Sequence, residues 1–345
     1  MRSSTPTEPR FLPTELGLVE AVETVGLPVR LTVCDGKVYT LWKPLVDRLR
    51  QESPVITVAG GETAKSLPTA RRLWKKLWQY RIDKGQAVLL IGGGSVLDLG
   101  GFCAATWKRG VPFISVPTTF IAQIDAAIGG KTGLNFKEGK NLLGVYAQPV
   151  AILGYRGFLE TLPKPEVRGG WAEAIKHALI VGGDLWEKLQ GVSFKEPPSM
   201  ELLAELAAVK VNIVRQDPYE EKGLRHVLNL GHTLGHVWET LSLRTERPLS
   251  HGEAVAIGLL QEGYLSLPPA ALEALRTLME RAGLLNPLPD FTWKAWEKAL
   301  LQDKKIRDGQ LRMPLLQAIG QVKVDSLPIQ ALREATRWYR QEVRP

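Results

Sequence analysis

Short apolar runs alternate with amphipathic stretches through the first half of the 345-residue chain, and this alternation constrains the fold more than any other feature. Val29–Cys34, Pro54–Gly60, Ala87–Gly94 and Pro112–Thr118 are rich in Val, Ile or Leu and end near Gly, Pro or Thr, as buried strands do. Between them, Val38–Gln51, Thr63–Arg81 and Ser95–Lys108 carry helical patterns. The pattern predicts βαβ units and a mostly parallel, nucleotide-type sheet.

From about Pro165 the chain changes character and reads as helix over Glu166–Gly182, Met200–Arg215, Leu224–Leu243, His251–Leu265, Ala270–Ala282 and Ile329–Glu342. The expected organisation is an α/β domain over residues 1–160 and an all-α domain over 161–345. The boundary falls in the Gly-, Pro- and Thr-containing stretch Leu153–Pro165, and the length agrees with two domains. An active site is expected in the cleft between the halves.

Two cysteines, Cys34 and Cys103, are too few for a disulfide framework or a Cys-based zinc ribbon. They point to a reducing, cytoplasmic setting. No apolar run reaches the ~18–20 residues that span a bilayer, and Met1–Pro13 has no apolar signal core, so no membrane partner is expected. The net charge of +8 is spread along the chain. Its densest cluster, Arg71, Arg72, Lys75 and Lys76 beside Trp74 and Trp78, reads as a solvated helix face rather than a nucleic-acid surface. Positive charge also suits an enzyme for a polyanionic substrate.

Three groups of residues can carry chemistry. Gly92-Gly93-Gly94-Ser95 follows the strand Ala87–Ile91 and opens a helix containing Asp98. Glycines let backbone N–H groups approach a phosphate, and a helix N-terminus favours negative charge. Gly60-Gly61-Glu62 with Lys65 closes the preceding strand in the same manner. Gly129-Gly130-Lys131-Thr132 looks like the end of a P-loop, but Asp125 occupies the position where that motif needs its first glycine. Lys131 can still meet a ligand phosphate or carboxylate, as can Lys140 beside Asn141. The third group is the histidines. His232 and His236 stand at i and i+4 of one helix with His226 nearby, and His251-Gly252-Glu253 opens the next helix. Glu173 with two of the three clustered histidines would supply the three N/O ligands of an open zinc site. Arg109, Lys131, Lys140, Lys176, Arg225 and Asp303-Lys304-Lys305 add basic groups suited to a substrate with phosphate and carboxylate.

Taken in order, Gly92–Gly94 with Asp98, Arg109-Gly110, Val116–Thr119, Gln123–Thr132, Gly139–Asn141, Trp171–Lys176, Gly223–His236, His251–Ala254 and Asp303–Lys305 resemble the 3-dehydroquinate synthase family from about residue 55 to 320. The first ~50 residues match only loosely. The resemblance implies a homodimer that binds NAD in the α/β domain and zinc or cobalt with the helical domain. It implies conversion of a phosphorylated sugar acid, 3-deoxy-D-arabino-heptulosonate 7-phosphate, to 3-dehydroquinate and phosphate.

By motif, it implies Glu173, His232 and His251 as metal ligands, with His236 as an acid–base residue. It assigns to NAD Asp35, Gly60, Gly61, Glu62, Lys65, Gly93, Gly94, Ser95, Val96, Asp98, Thr118, Thr119, Phe158, Leu159 and Thr161, with Lys131 and Lys140 beside the cofactor. It assigns to the substrate Asp125, Lys131, Asn141, Lys176, Arg225, Asn229 and Lys304 or Lys305, and has Arg109 reach a second copy's substrate phosphate. His177 stands where the family often has Tyr and reads as structural, because adjacent helical residues point about 100° apart. Competing readings are another sugar phosphate cyclase and a polyol dehydrogenase. The inosose cyclases tend to carry Glu where this chain has His236, which favours dehydroquinate.

Overall fold

The computed structural model describes residues 5–137, 139–303, 306–307 and 310–343. Lys304 and Lys305 lie outside the described residues. The chain divides into two compact units, Met1–Leu162 with Pro198–Tyr219, and Pro163–Pro197 with Glu220–Pro345.

The first unit begins with β1 (Pro9–Leu12), α1 (Glu15–Glu23), β2 (Val29–Asp35), α2 (Gly36–Leu41), α3 (Lys43–Leu49), β3 (Val55–Val58), α4 (Leu67–Gln79), β4 (Ala87–Gly92), α5 (Gly94–Thr106) and β5 (Phe113–Pro117). A hairpin of β6 (Lys131–Phe136) and β7 (Gly139–Tyr146) precedes β8 (Ala151–Tyr155). Six strands form one sheet in the order β1-β8-β5-β4-β2-β3, and every pairing in it is parallel. The apolar runs are continuous because both faces are covered. In β4, Val88 and Leu90 join one core cluster with α4 and α5, while Ala87, Leu89 and Ile91 join another with α1 and α3. Parallel strands put the turns after β2, β3, β4, β5 and β8 at one edge of the sheet, where ligands of open α/β sheets gather.

The second unit opens with α6 (Lys164–Val181) and α7 (Gly183–Gly191). The chain then returns to the first unit with α8 (Met200–Gln216). The sequence pattern counts this helix with the second half. Ala207 and Val211 instead enter the core of the first unit, and Lys210 pairs with Asp125 at 3.0 Å.

The second unit resumes with a 3-10 turn, Leu224–Asn229, then α9 (His232–Ser242), α10 (His251–Tyr264), α11 (Pro269–Arg281) and α12 (Trp293–Asp303). It ends with β9 (Ile306–Arg307), β10 (Gln310–Ala318), β11 (Gln321–Pro328) and α13 (Ile329–Glu342). The unit is helical, as expected, except for the antiparallel sheet β11-β10-β9, which corrects the all-α reading. Its signal was present in Gln321–Leu327, where apolar and polar residues alternate. The continuous helix expected over Leu224–Leu243 is broken at Leu230-Gly231. Gly231 takes φ +77°, a left-handed conformation that ends the 3-10 turn and starts α9. Trp171, Trp238 and Trp296 are wholly buried. Among the described residues no helix is long and apolar enough to cross a membrane.

Candidate functional site

Three helices of the second unit converge on one carboxylate. Glu173 stands in α6 and is 1% exposed. His232 is the first residue of α9, and His251 the first of α10. His251 Nε2 is 3.3 Å and His232 Nε2 3.4 Å from Glu173 Oε1, and one donor atom from each of the three residues falls within 4.8 Å of the others. Glu173 Oε1 is buried and has no hydrogen-bond partner of good geometry. Two imidazole nitrogens and a carboxylate oxygen aimed at one point are the N/O donor set of a divalent cation, and the orphaned oxygen fits one.

Electrostatics agree with that reading. Lys176, one turn along α6 and also 1% exposed, brings Nζ to 2.5 Å from Glu173 Oε2. Burial alone would raise the Glu173 pKa, but Lys176 and His232 outweigh it and hold the carboxyl well below its ordinary range. Burial pushes His232 down to about 4, against the attraction of Glu173. Its Nδ1 lies 3.0 Å from the Leu230 carbonyl, so Nδ1–H donates there and the Nε2 lone pair faces Glu173. Burial also favours neutral His251, but Glu173 and Glu239 outweigh it and raise the group to about 10. Glu239 Oε2 is 3.7 Å from His251 Nδ1.

His236 stands one turn beyond His232 with its ring centroid 5.4 Å from that of His232 and 6.2 Å from that of His251. Its donor atom lies within 4.8 Å of those of Glu239 and His251, a second group that shares His251 with the Glu173–His232–His251 trio. Arg225 is buried within the 3-10 turn, Asn229 ends that turn, and His177 is wholly buried in α6.

In the first unit the residues expected at the dinucleotide meet at the sheet edge. The Asp35 carboxylate lies so close to Gly60 that a Cβ there would sit 2.2 Å from Oδ2. Gly61 N–H donates to Ser95 Oγ at 3.0 Å. A Cβ on Gly93 would meet Thr119, and one on Gly94 would meet Ala126. The helix α5 starts at Gly94 without a side-chain cap. Bare glycine backbone at an uncapped helix N-terminus fits a phosphate-bearing cofactor. After β8, Phe158 and Leu159 are buried, and Trp42 Nε1 donates to Thr161 Oγ1 at 2.8 Å. Val96 is buried, and Thr118, also buried, directly follows β5.

A buried lysine ties this edge to the β6–β7 hairpin. Lys65 Nζ donates to Asp98 Oδ2 at 2.8 Å and to Asn141 Oδ1, and lies 3.7 Å from Glu62 Oε1. Burial raises the Asp98 pKa in spite of Lys65. Asn135, which the sequence does not single out, completes the network. Its Nδ2 donates to Glu62 Oε2 at 2.9 Å, and its Oδ1 accepts from Asn141 N–H at 2.9 Å. Lys131 and Lys140 are exposed on the hairpin, and Arg109 is exposed with φ +64°. Lys210 is a second omission of sequence reading. Its Nζ lies 3.0 Å from Asp125 Oδ1 and donates to the Asp125 carbonyl oxygen at 2.8 Å.

The fold matches solved sugar phosphate cyclases. A 2-epi-5-epi-valiolone synthase from Streptomyces hygroscopicus, with NAD+ and Zn2+ bound, has a TM-score of 0.87 and 27% identity over 97% of each chain. A 2-deoxy-scyllo-inosose synthase complexed with carbaglucose-6-phosphate, NAD+ and Co2+ has a TM-score of 0.83 and 24% identity over 96% of each chain. The fold is that of the sugar phosphate cyclases.

Residues 55–169 match the model of the 3-dehydroquinate synthase N-terminal region, and 170–306 that of the C-terminal region. The 3-dehydroquinate synthase of Enterococcus faecalis OG1RF is 34% identical over 95% of this chain and 96% of its own. That of Latilactobacillus sakei is 39% identical over 80% of this chain and 78% of its own. The chain belongs to the 3-dehydroquinate synthase family.

Proposed function

We propose that the chain converts 3-deoxy-D-arabino-heptulosonate 7-phosphate to 3-dehydroquinate and phosphate, with NAD and zinc or cobalt, as a carbon–oxygen lyase acting on phosphates. This is a step of the shikimate route to aromatic amino acids. The observation that carries the reading is the buried Glu173–His232–His251 cluster in a chain that 3-dehydroquinate synthases match at 34–39% identity. The valiolone and inosose synthases match at 27% and 24%, which favours dehydroquinate over another cyclase.

When bound, the cation supplies Lewis acidity at the substrate's C4 and C5 hydroxyls, and NAD a reversible hydride acceptor at C5. Glu173, His232 and His251 hold the cation. Lys176 keeps Glu173 ionised and offers a positive charge to the substrate. Asp35, the Gly60–Lys65 turn, Gly93–Asp98, Thr118, Thr119, Phe158, Leu159 and Thr161 hold the dinucleotide, with Lys140 beside it. Lys131, Asn141, Asp125, Arg225, Asn229 and Lys304 or Lys305 orient phosphate and carboxylate for each step.

His236 takes the proton from the C5 oxygen and returns it, the acid–base work for which imidazole is the commonest side chain. After oxidation at C5 the acidified C6 proton passes to the departing phosphate, so the site needs no separate strong base. Re-reduction, ring opening and intramolecular aldol closure follow. Arg109 of a second copy completes the phosphate site in a cytoplasmic homodimer.

The test is phosphate release from the heptulosonate phosphate with and without NAD and a chelator. Release that needs NAD and is abolished by the chelator, without accumulation of NADH, is expected. Accumulating NADH would mark a dehydrogenase, and release indifferent to both additions would overturn the reading.

A further inference from the structure

A buried glutamate outside every motif stands behind the metal-ligand cluster. Glu262 lies in α10, is 0% exposed, and aims its carboxylate at the start of α9. Its Oε2 accepts the Gly231 N–H at 2.6 Å, and its Oε1 accepts the Leu234 N–H at 3.2 Å. The close approach of the helices makes this possible. Gly258, one turn before Glu262 on the same face of α10, sits where a Cβ would fall 1.9 Å from the Gly231 carbonyl oxygen.

The Gly231 N–H and the Leu230 carbonyl belong to one planar peptide. That carbonyl lies 3.0 Å from His232 Nδ1. Fixing the N–H therefore fixes the plane in which the carbonyl points, and with it the imidazole that donates to it. A carboxylate on the N–H also polarises the peptide and strengthens the carbonyl as an acceptor. The result is a chain of contacts from the Glu262 carboxylate, through the Leu230–Gly231 peptide, to His232 Nδ1–H, with His232 Nε2 at its far end facing Glu173 Oε1 at 3.4 Å.

We propose that Glu262 is a positioning residue for His232, setting its tautomer and ring orientation through the backbone. Such outer partners usually touch a ligating histidine directly. Here the left-handed Gly231 turn places a peptide between them, and the same carboxylate satisfies two N–H groups that the start of α9 would otherwise bury. The proposal deepens the functional reading and rests on Glu173, His232 and His251 being the ligands.

The test is Zn2+ affinity of the full chain, measured by competition with a chromophoric chelator, for Glu262→Ala and Glu262→Gln. Loss of the outer partner is expected to weaken binding about 10- to 100-fold in the alanine variant. The glutamine variant keeps one acceptor oxygen for Gly231 N–H but loses the charge, and is expected to bind several-fold more weakly than the parent. A folded variant of either kind that binds Zn2+ within twofold of the parent overturns the proposal. The glutamine variant decides it alone where the alanine variant does not fold, because a merely structural role would lower the melting temperature and leave the affinity of the folded protein unchanged. Glu173→Gln, measured alongside, separates the two failures. If it too binds as the parent does, the ligand set is wrong; if it does not bind, only the role of Glu262 falls.

Discussion

Gly252 of α10 lies so close against Gly169 of α6 that a Cβ on Gly252 would sit 2.2 Å from the Gly169 Cα. His251 is the neighbour of Gly252, and Glu173 is one helical turn beyond Gly169. The glycine pair therefore sets how near the imidazole comes to the carboxylate. Gly252→Ala is expected to cost about 1–3 kcal/mol through overpacking and to lower zinc content by separating the two ligands. Denaturant unfolding and metal analysis check both. Gly191→Ala, where a Cβ meets nothing within 4 Å, is the control and should change neither.

Lys210 supports Asp125 from a helix that the sequence pattern assigns elsewhere. Both groups are largely buried, and Lys210→Met would leave the Asp125 carboxylate without this ammonium partner. Loss of about 2 kcal/mol of stability is expected, together with a raised KM for the phosphorylated substrate if Asp125 touches it. An unchanged KM in a destabilised variant would leave Lys210 as a purely structural residue. Chemical denaturation and steady-state kinetics give the two numbers.

His236 separates chemistry from metal binding. It stands next to the Glu173–His232–His251 trio, its ring centroid 5.4 Å from that of His232, and His236→Ala is expected to retain its zinc. Turnover should fall about 10²- to 10⁴-fold, the usual worth of a positioned acid–base group. Phosphate release at parental rate in a zinc-loaded variant would remove the proton-transfer role. Loss of zinc would make His236 part of the metal site instead.

The chemistry-bearing residues were legible because they sit in short local patterns. Gly60, Gly93, Gly94, Gly231 and Gly235 mark places where a Cβ would meet a neighbouring atom at 3.0 Å or less, and the strands β2 to β5 follow from continuous apolar runs. What stayed hidden depends on tertiary return. Lys210 looks like an ordinary polar position of an amphipathic helix until α8 joins the first unit. Glu262 reads as a charged residue near a helix end, and only the approach of α10 to Gly231 buries it. Asn135 acts through a hairpin whose glycines and polar residues weaken any strand pattern. Spacing also made His232 and His236 look like a ligand pair, whereas the partner that shares Glu173 Oε1 with His232 comes from the next helix.

His251 links cation binding to pH. Its pKa is raised to about 10 by Glu173 and Glu239 acting against burial, so in chelator-treated protein it carries a proton at pH 7. His232, pushed down to about 4 by burial, is already neutral there. A ligating imidazole must be neutral, so cation uptake at pH 7 is expected to release about one proton, from His251, and affinity should rise with pH towards 10. The stability effect has the opposite sign in the chelated protein. A raised pKa stabilises fully below the ordinary value near 6.5 and is lost as pH rises through about 10. Alkaline conditions should therefore weaken the chelated protein while favouring the zinc-loaded one. Calorimetric titration with Zn2+ in two buffers of different ionisation enthalpy measures the proton count. Heats that do not depend on the buffer would mean that His251 is already neutral at pH 7, and the paired carboxylates would then have another role than holding its proton.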